Sequence, residues 1–341
     1  MNSDDIVNFT GKTVLVTGGD GFIGSHLVEA LVRDGAQVTA MAQYNPFGDI
    51  GWLDDFDEAV AAEIEILRGN VCDPAFMHRA VAGKTIVFHL AALIAIPYSY
   101  EAPASYVDTN VTGTLNVLEA CRDHGVERVV HTSTSEVYGT ALVTPISESH
   151  PLQGQSPYSA SKIGADMMAE AFARSFDLPV AILRPFNTYG PRQSERAVIP
   201  TVIRQALDPN CEAIRIGDVT PTRDFNYVGD TVDAFRAVGT SAAIDYGRPY
   251  NSGTGVMVSV GEMIERVRDI TGTNKPVESE AQRLRPENSE VRALIADPAR
   301  LNTATGWRPA TDLDAGLKET VAWWQQRIAD NRVRRDSGYL V

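Results

Sequence analysis

An open, doubly wound α/β parallel sheet, covered by helices on both faces, is the fold this sequence predicts. Three observations carry that expectation. Short strand-like runs alternate with helix-length stretches from KTVLVT onward. The runs are almost continuously apolar, as strands buried on both faces must be. A glycine-rich turn joins the first strand directly to the first helix.

In chain order, KTVLVT is the first strand, and Phe22 to Asp34 has apolar residues at helical spacing before Gly35 ends it. AQVTAMA, IEILRG, TIVFHLAA, RVVHTST and PVAILRP supply five more strands, and Ala104–Asp123 and Tyr158–Phe176 read as long helices between the later ones. Right-handed crossovers then give a parallel sheet. After Arg184 the texture changes to Pro, Gly and Arg in RPFNTYGPRQSER, IGDVTPTRDF and QRLRPENSEV. The expected division is therefore a dinucleotide-binding part over residues 1–186, rejoined by about 226–256, and a mainly substrate-binding part over 187–341. The latter is laid over the carboxyl ends of the strands, where open α/β sheets bind ligands. The helix Asp314–Ile328 is expected to pack Trp323 and Trp324 into a core, and the basic tail RVRRDSGYLV to be solvated.

Composition narrows the function. The chain has 341 residues, 44% hydrophobic and 22% charged, with a formal net charge of −14. Such a surface does not coat nucleic acid, which needs an excess of Lys and Arg. Cys72, Cys121 and Cys211 are scattered and odd in number, which points to a reducing cytoplasm rather than a disulfide framework. The polar start MNSDDIVNF has no signal-peptide pattern, and the apolar run Ile86–Ile96 is too short to span a bilayer. The histidines show no metal-ligand spacing, so no metal is expected.

TGGDGFIG places Gly18, Gly21 and Gly24 between a strand and a helix, so that backbone N–H groups of this turn, with Phe22 and Ile23, can approach a pyrophosphate. The acid that usually bonds the adenosine ribose at the end of the second strand is missing: the strand runs into Gln43, Tyr44 and Asn45, and the first acid is Asp49. NAD is the expected cofactor, with NADP left open. Asn70 and Val71 are candidates for the adenine edge, and Leu90, Ala91 and Ala92 for the cofactor's middle.

SPYSASK sets Tyr158 and Lys162 four apart on one helix face. An ammonium beside a phenol favours the phenolate and makes the tyrosine a usable base. Thr134, at the end of the fifth strand, is placed to hold a substrate oxygen beside it.

With these features the chain resembles the extended short-chain dehydrogenase/reductase family. The motifs are TGGDGFIG, HLAA, Asn110 in NVTGTLNVLEAC, TSEVYG, YSASK, RPFNTYGPR and RDFNYVGD, and they cover nearly the whole chain. The resemblance implies a Rossmann fold, a tightly held nicotinamide cofactor, nucleotide-sugar substrates and a homodimer built through the helices at Ala104–Asp123 and Tyr158–Phe176. It adds Asn110, Thr132 and Pro185 to the cofactor contacts. It also implies that Arg223 and Arg285 grip the substrate's ribose and pyrophosphate, with Asn187 and Arg192 nearby. Bidentate guanidinium–phosphate bonds suit that task.

Glu136 separates the activities of the family. A 4-epimerase needs only oxidation and reduction at carbon 4. A 4,6-dehydratase also needs an acid/base within reach of carbons 5 and 6, and Glu136 follows Thr134 by two residues, on the same side if the chain stays extended. The order Thr134-Ser135-Glu136 resembles GDP-mannose 4,6-dehydratase, whereas dTDP-glucose 4,6-dehydratases carry Thr-Asp-Glu. Either Glu136 performs both proton transfers or Ser135 relays one. QYN, GWLD, PFNTYGPRQSERAVIPT and RLRPENSEV are most similar to N-acetylhexosamine nucleotide 4,6-dehydratases of the legionaminic-acid type, which implies UDP- or GDP-GlcNAc as substrate and a role in glycan biosynthesis. A UDP-glucuronate decarboxylase and a 4-epimerase are the alternatives within the family. A dinucleotide-binding sensor without catalysis is the alternative outside it.

Overall fold

The computed structural model describes residues 8–284 and 286–333. Arg285, the start of the chain and all of the basic tail beyond Val333 lie outside them. The described residues build a parallel sheet from β1 (Thr13–Thr17), β2 (Gln37–Gln43), β3 (Ile64–Gly69), β4 (Ile86–His89), β5 (Arg128–Thr132), β6 (Val180–Pro185) and β7 (Pro249–Ser252), in the spatial order β7-β6-β5-β4-β1-β2-β3. Every neighbouring pair in it is parallel. The longer helices are α1 (Phe22–Arg33), α2 (Pro74–Val81), α3 (Gly113–His124), α4 (Pro157–Phe176), α5 (Val198–Leu207), α6 (Val228–Thr240), α7 (Val260–Thr271) and α8 (Leu313–Ala329).

Side-chain alternation along β1 shows why both faces are dry. Val14 and Val16 point into a cluster with Leu27 and Leu31 of α1 and Phe235 of α6. Leu15 points the other way, into a cluster with Val117 and Leu118 of α3 and Phe172 of α4. A third cluster joins α5, α7 and α8 through Ile203, Ile264, Val321 and Trp324. Trp324 is core, as expected. Trp323 is only partly buried and meets the edge of Trp52, with ring centroids 5.6 Å apart.

Strand order reverses between β1 and β4, so a crevice opens above their carboxyl ends. Gly18 ends β1 there with φ +68°, and a Cβ on it would lie 2.8 Å from the backbone nitrogen of Ala91. A Cβ on Gly24 would sit 2.0 Å from the carbonyl oxygen of Gly18. Both positions exclude any larger residue, which is why the loop can hug β4 and open α1.

Three boundaries depart from the sequence expectation. β4 ends at His89, not Ala92, because Leu90 and Ala91 turn their N–H groups onto the Thr17 side chain. β5 ends at Thr132, and Ser135–Tyr138 is a 3₁₀ turn. The helix expected over Ala104–Asp123 is interrupted by a π-helical turn at Val107–Thr112.

Candidate active site

The site is built where β5 leaves the sheet and α4 begins. Ser156 caps α4 by accepting from the Ser159 N–H at 3.1 Å, while Ser159 Oγ accepts from the Ser156 N–H at 2.9 Å. Pro157 fills the first helical position, where no N–H is needed. This reciprocal cap fixes Tyr158 at the mouth of the helix.

Tyr158, Lys162 and Asp166 then follow at intervals of four on one helix face, each buried. Each meets the exit of β5. The Thr134 hydroxyl hydrogen-bonds the phenol of Tyr158. Lys162 Nζ donates to the carbonyl oxygen of Thr132 at 2.6 Å. Ser133 Oγ donates to Asp166 Oδ2 at 2.7 Å. The Ser133 N–H donates the other way, to Leu183 of β6, at 2.7 Å. The exit is thus stitched to successive turns of α4.

Glu136 comes within electrostatic reach of the phenol by a different route from the one expected. The chain does not continue extended past Thr134. Thr134 instead caps the 3₁₀ turn, its Oγ1 accepting from the Glu136 N–H at 3.2 Å. That turn folds the glutamate back, so that its charge acts on Tyr158. Glu136 is half-buried, and among the described residues its carboxylate takes no hydrogen bond or ion pair. Ser135, between them, is almost wholly buried.

The electrostatics also differ from the expectation that Lys162 lowers the phenol's pKa. Burial pushes Tyr158 up strongly; the Thr134 hydrogen bond opposes this, while the charge of Glu136 adds to it. Burial lowers Lys162 to about 8, against the pull of Asp166. The long lysine side chain passes the phenol and spends one of its donors on the end of β5.

Beneath the site lies a buried polar network that sequence reading missed. Asp166 accepts from Arg184 Nη2 at 2.8 Å and Nε at 3.1 Å, and His131 Nε2 lies 3.2 Å from its other oxygen. Arg184 continues to the Tyr138 hydroxyl at 2.8 Å, which donates to Asn251 Oδ1 at 2.7 Å. Arg184 is 3% exposed and committed to this network. The sequence did hold one signal: Asp166 continues the four-residue spacing of Tyr158 and Lys162. Tyr106 was missed too. It is fully buried and packs edge-on against Tyr158 at 6.3 Å, with its hydroxyl donating to the Ala95 carbonyl.

The remaining expected residues divide. Gly18 and Gly21 form the β1–α1 turn, Phe22, Ile23 and Gly24 open α1, and Leu90 and Ala91 lie against the turn, with Ala92 following them. Thr132 and Pro185 end neighbouring strands at the same edge, and the Thr132 hydroxyl is buried without a partner among the described residues. That unmet polar atom, the side-chain-free cradle at Gly18 and the backbone N–H groups opening α1 fit a dinucleotide.

Asn110 is a brace rather than an open contact: the π-helical turn directs it inward, where it bonds both backbone groups of Leu93 and the Ser161 hydroxyl. Val71 faces the core against Gly113, and Asn70 accepts from the Cys72 N–H. Arg192 ion-pairs with Glu29 of α1 at 2.9 Å, so the structure uses it to tie the 187–197 loop to α1. Arg223 pairs with Glu290 at 3.0 Å. Asn187 keeps a buried side-chain oxygen without a partner among the described residues.

No described helix is long and apolar enough to cross a membrane, and no described cluster could hold a metal ion. Comparison with known proteins places this geometry. The family profile described as GDP-mannose 4,6 dehydratase matches residues 15–320. The chain is 32% identical over 318 residues to a UDP-glucose 4-epimerase of Mycolicibacterium smegmatis, covering 92% of this chain and 98% of that one. It is also 32% identical over 318 residues to a dTDP-glucose 4,6-dehydratase of an Actinoplanes species, covering 92% and 97%. Among solved structures it superposes on TunA, an NAD-dependent NDP-hexosamine 5,6-dehydratase of tunicamycin biosynthesis, with a TM-score of 0.80 at 32% identity, covering 94% of this chain and 99% of that one.

Proposed function

The chain belongs to the GDP-mannose 4,6-dehydratase family of NAD-dependent nucleotide-sugar dehydratases and epimerases, and on that premise we propose that it is a nucleotide-sugar 4,6-dehydratase acting on an NDP-linked N-acetylhexosamine. One observation carries the reading: Glu136, a carboxylate that takes no bond among the described residues, is turned back by the cap at Thr134 to where its charge acts on Tyr158. An epimerase has no task for such a group.

The cofactor is NAD, held along Gly18–Gly24 and against Leu90–Ala92. Bound there, the nicotinamide would supply hydride transfer, out of carbon 4 of the sugar and back at carbon 6. Tyr158 takes the proton of the 4-hydroxyl, with Thr134 holding the same oxygen. Lys162 has further donors beyond the one spent on Thr132 and would offer them to the ribose of the bound nicotinamide. The 4-ketone acidifies the proton on carbon 5. Glu136 removes it, and the carbon 6–oxygen bond breaks as that oxygen is protonated and leaves as water. Glu136 can deliver the same proton it removed, with buried Ser135 as the relay if the geometry demands one. Carbon 5 regains a proton from water when carbon 6 is reduced, and Tyr158 gives the proton of the former 4-hydroxyl back to water, so every group returns to its starting state. The product is a 4-keto-6-deoxy sugar, with no net change in the cofactor.

Arg223 and Asn187 are the described candidates for the diphosphate end, with Arg285 expected from the sequence. A homodimer through α3 and α4 and a cytoplasmic setting belong to the same proposal. The test is product analysis by mass. Purified chain is incubated with UDP- and GDP-GlcNAc, UDP-glucuronate and GDP-mannose. Loss of water from a GlcNAc nucleotide is expected. Loss of carbon dioxide from the glucuronate would instead assign the decarboxylase, and an isomer of unchanged mass the epimerase. Replacing Glu136 by Gln should abolish water loss; dehydration at the wild-type rate would refute its role.

A further inference from the structure

β2 ends without the acid that usually reads the adenosine ribose, yet a carboxylate stands at that position in space. The glycine loop docks on the end of β2 through two bonds. The Gly19 N–H donates to the Met41 carbonyl at 3.0 Å. The N–H of Gln43, the last residue of β2, donates to Asp20 Oδ2 at 3.0 Å. Asp20 therefore sits immediately before α1 and against the end of β2 at once.

The segment after β2 holds it there. The Trp52 N–H donates to the Asp20 carbonyl at 3.0 Å, and Gly51 comes so close that a Cβ on it would lie 2.5 Å from that oxygen. Trp52 is itself pinned by Trp323 and by the Arg327 guanidinium, 4.8 Å above its ring, while Arg327 pairs with Asp55 at 2.6 Å. A second carboxylate, Asp49, stands two residues before Gly51 in the same segment, where its Oδ1 accepts from Asn45 Nδ2 at 3.1 Å, and its charge acts on Asp20. The cation on the neighbouring strand, Arg68, is exposed and donates to the Gly48 carbonyl at 3.1 Å.

We propose that Asp20, carried by the glycine loop, is the residue that accepts the adenosine ribose hydroxyls in this chain, and that Asp20 and Asp49 together exclude a 2′-phosphate. The physical reason is position plus charge. A carboxylate is an acceptor-only group matched to a ribose diol, and two carboxylates repel a phosphate at the same site. The inference rests on the reading that NAD lies along the Gly18–Gly24 loop.

Calorimetric titration of the full chain, stripped of nucleotide, with NAD and with NADP at one ionic strength tests it. Wild type should bind NAD at least about 10-fold more tightly than NADP. Asp20→Asn keeps an oxygen for the Gln43 N–H, so the fold should survive, with an unchanged melting temperature. It should weaken NAD by about 10- to 100-fold, the loss of one charge-assisted pair, and shrink the preference over NADP. If Asp20→Asn proves unstable, Asp49→Asn should raise NADP affinity while leaving NAD unchanged. An unaltered NAD/NADP ratio in the variants overturns the proposal. So does tight wild-type NADP binding that Arg68→Ala removes. A wild-type chain that binds neither dinucleotide overturns the cofactor reading beneath it, which separates that failure from this one.

Discussion

The floor of the active site and its rim handle charge in opposite ways. Under the exit of β5, Asp166 is fully buried and saturated by Arg184, Ser133 and His131. A few residues further along the same exit, Glu136 is half-buried and takes no bond from any described residue. Both are carboxylates near Tyr158, and both charges act on it. The floor shows what holding a geometry requires: every lone pair used, because a buried unpaired charge is expensive. The rim shows what chemistry requires: a carboxylate whose lone pairs are left for a proton that is not the protein's own.

Breaking the floor should have the largest effect on stability. Asp166→Asn leaves the Arg184 guanidinium buried without its counter-charge and should destabilise the chain by about 3–5 kcal/mol, read from urea unfolding. A loss below about 1 kcal/mol would mean that Arg184 finds water or another partner. The same residue should dominate acid unfolding. Arg184 and the hydrogen bonds to the carboxylate hold Asp166 at about 2 against burial, below the usual 3.8. A depressed carboxylate stabilises the fold fully above the unfolded value and loses that contribution as pH falls through the folded one. The wild type should therefore lose roughly 2 kcal/mol between about pH 4 and pH 2 from this group. Asp166→Asn should show no such slope.

Ser133→Ala removes one donor from the floor without leaving a charge unpaired. It should lower stability by about 1 kcal/mol. If the stitching of β5 to α4 sets the site, it should also lower kcat more than it raises KM; an equal effect on both would reduce Ser133 to a packing role. Glu136→Gln sharpens the comparison from the other side. Its stability should stay within about 0.5 kcal/mol of wild type, while dehydration falls by about 10²- to 10⁴-fold. A large shift in melting temperature would show that the rim carboxylate is structural after all.

Much of the site was legible because its signals are local. The four-residue interval from Tyr158 to Lys162 fixes a shared helix face, and glycines between a strand and a helix fix a close backbone approach. The arginines were less legible, since a guanidinium is the same residue type whether it grips a phosphate or a buried aspartate. Arg184 and Arg192 proved to be spent on Asp166 and Glu29. Asn110, singled out as a cofactor contact, turned inward to Leu93 and Ser161 because a π-helical turn rotates it, which helical periodicity does not foretell.

The sequence by itself determined the alternation of strands and helices, the glycine loop and the residue types that chemistry at carbons 4, 5 and 6 would need, because periodicity, backbone permissiveness and side-chain chemistry are properties of short stretches. Only the tertiary structure decided which groups meet. The 3₁₀ turn after Thr134 turns Glu136 back to where its charge acts on the phenol, the floor fixes the exit of β5 on α4, and the glycine loop sets Asp20 against the end of β2. Those encounters join residues from different strands and helices, and their geometry follows from packing the sheet, which no single stretch of chain encodes.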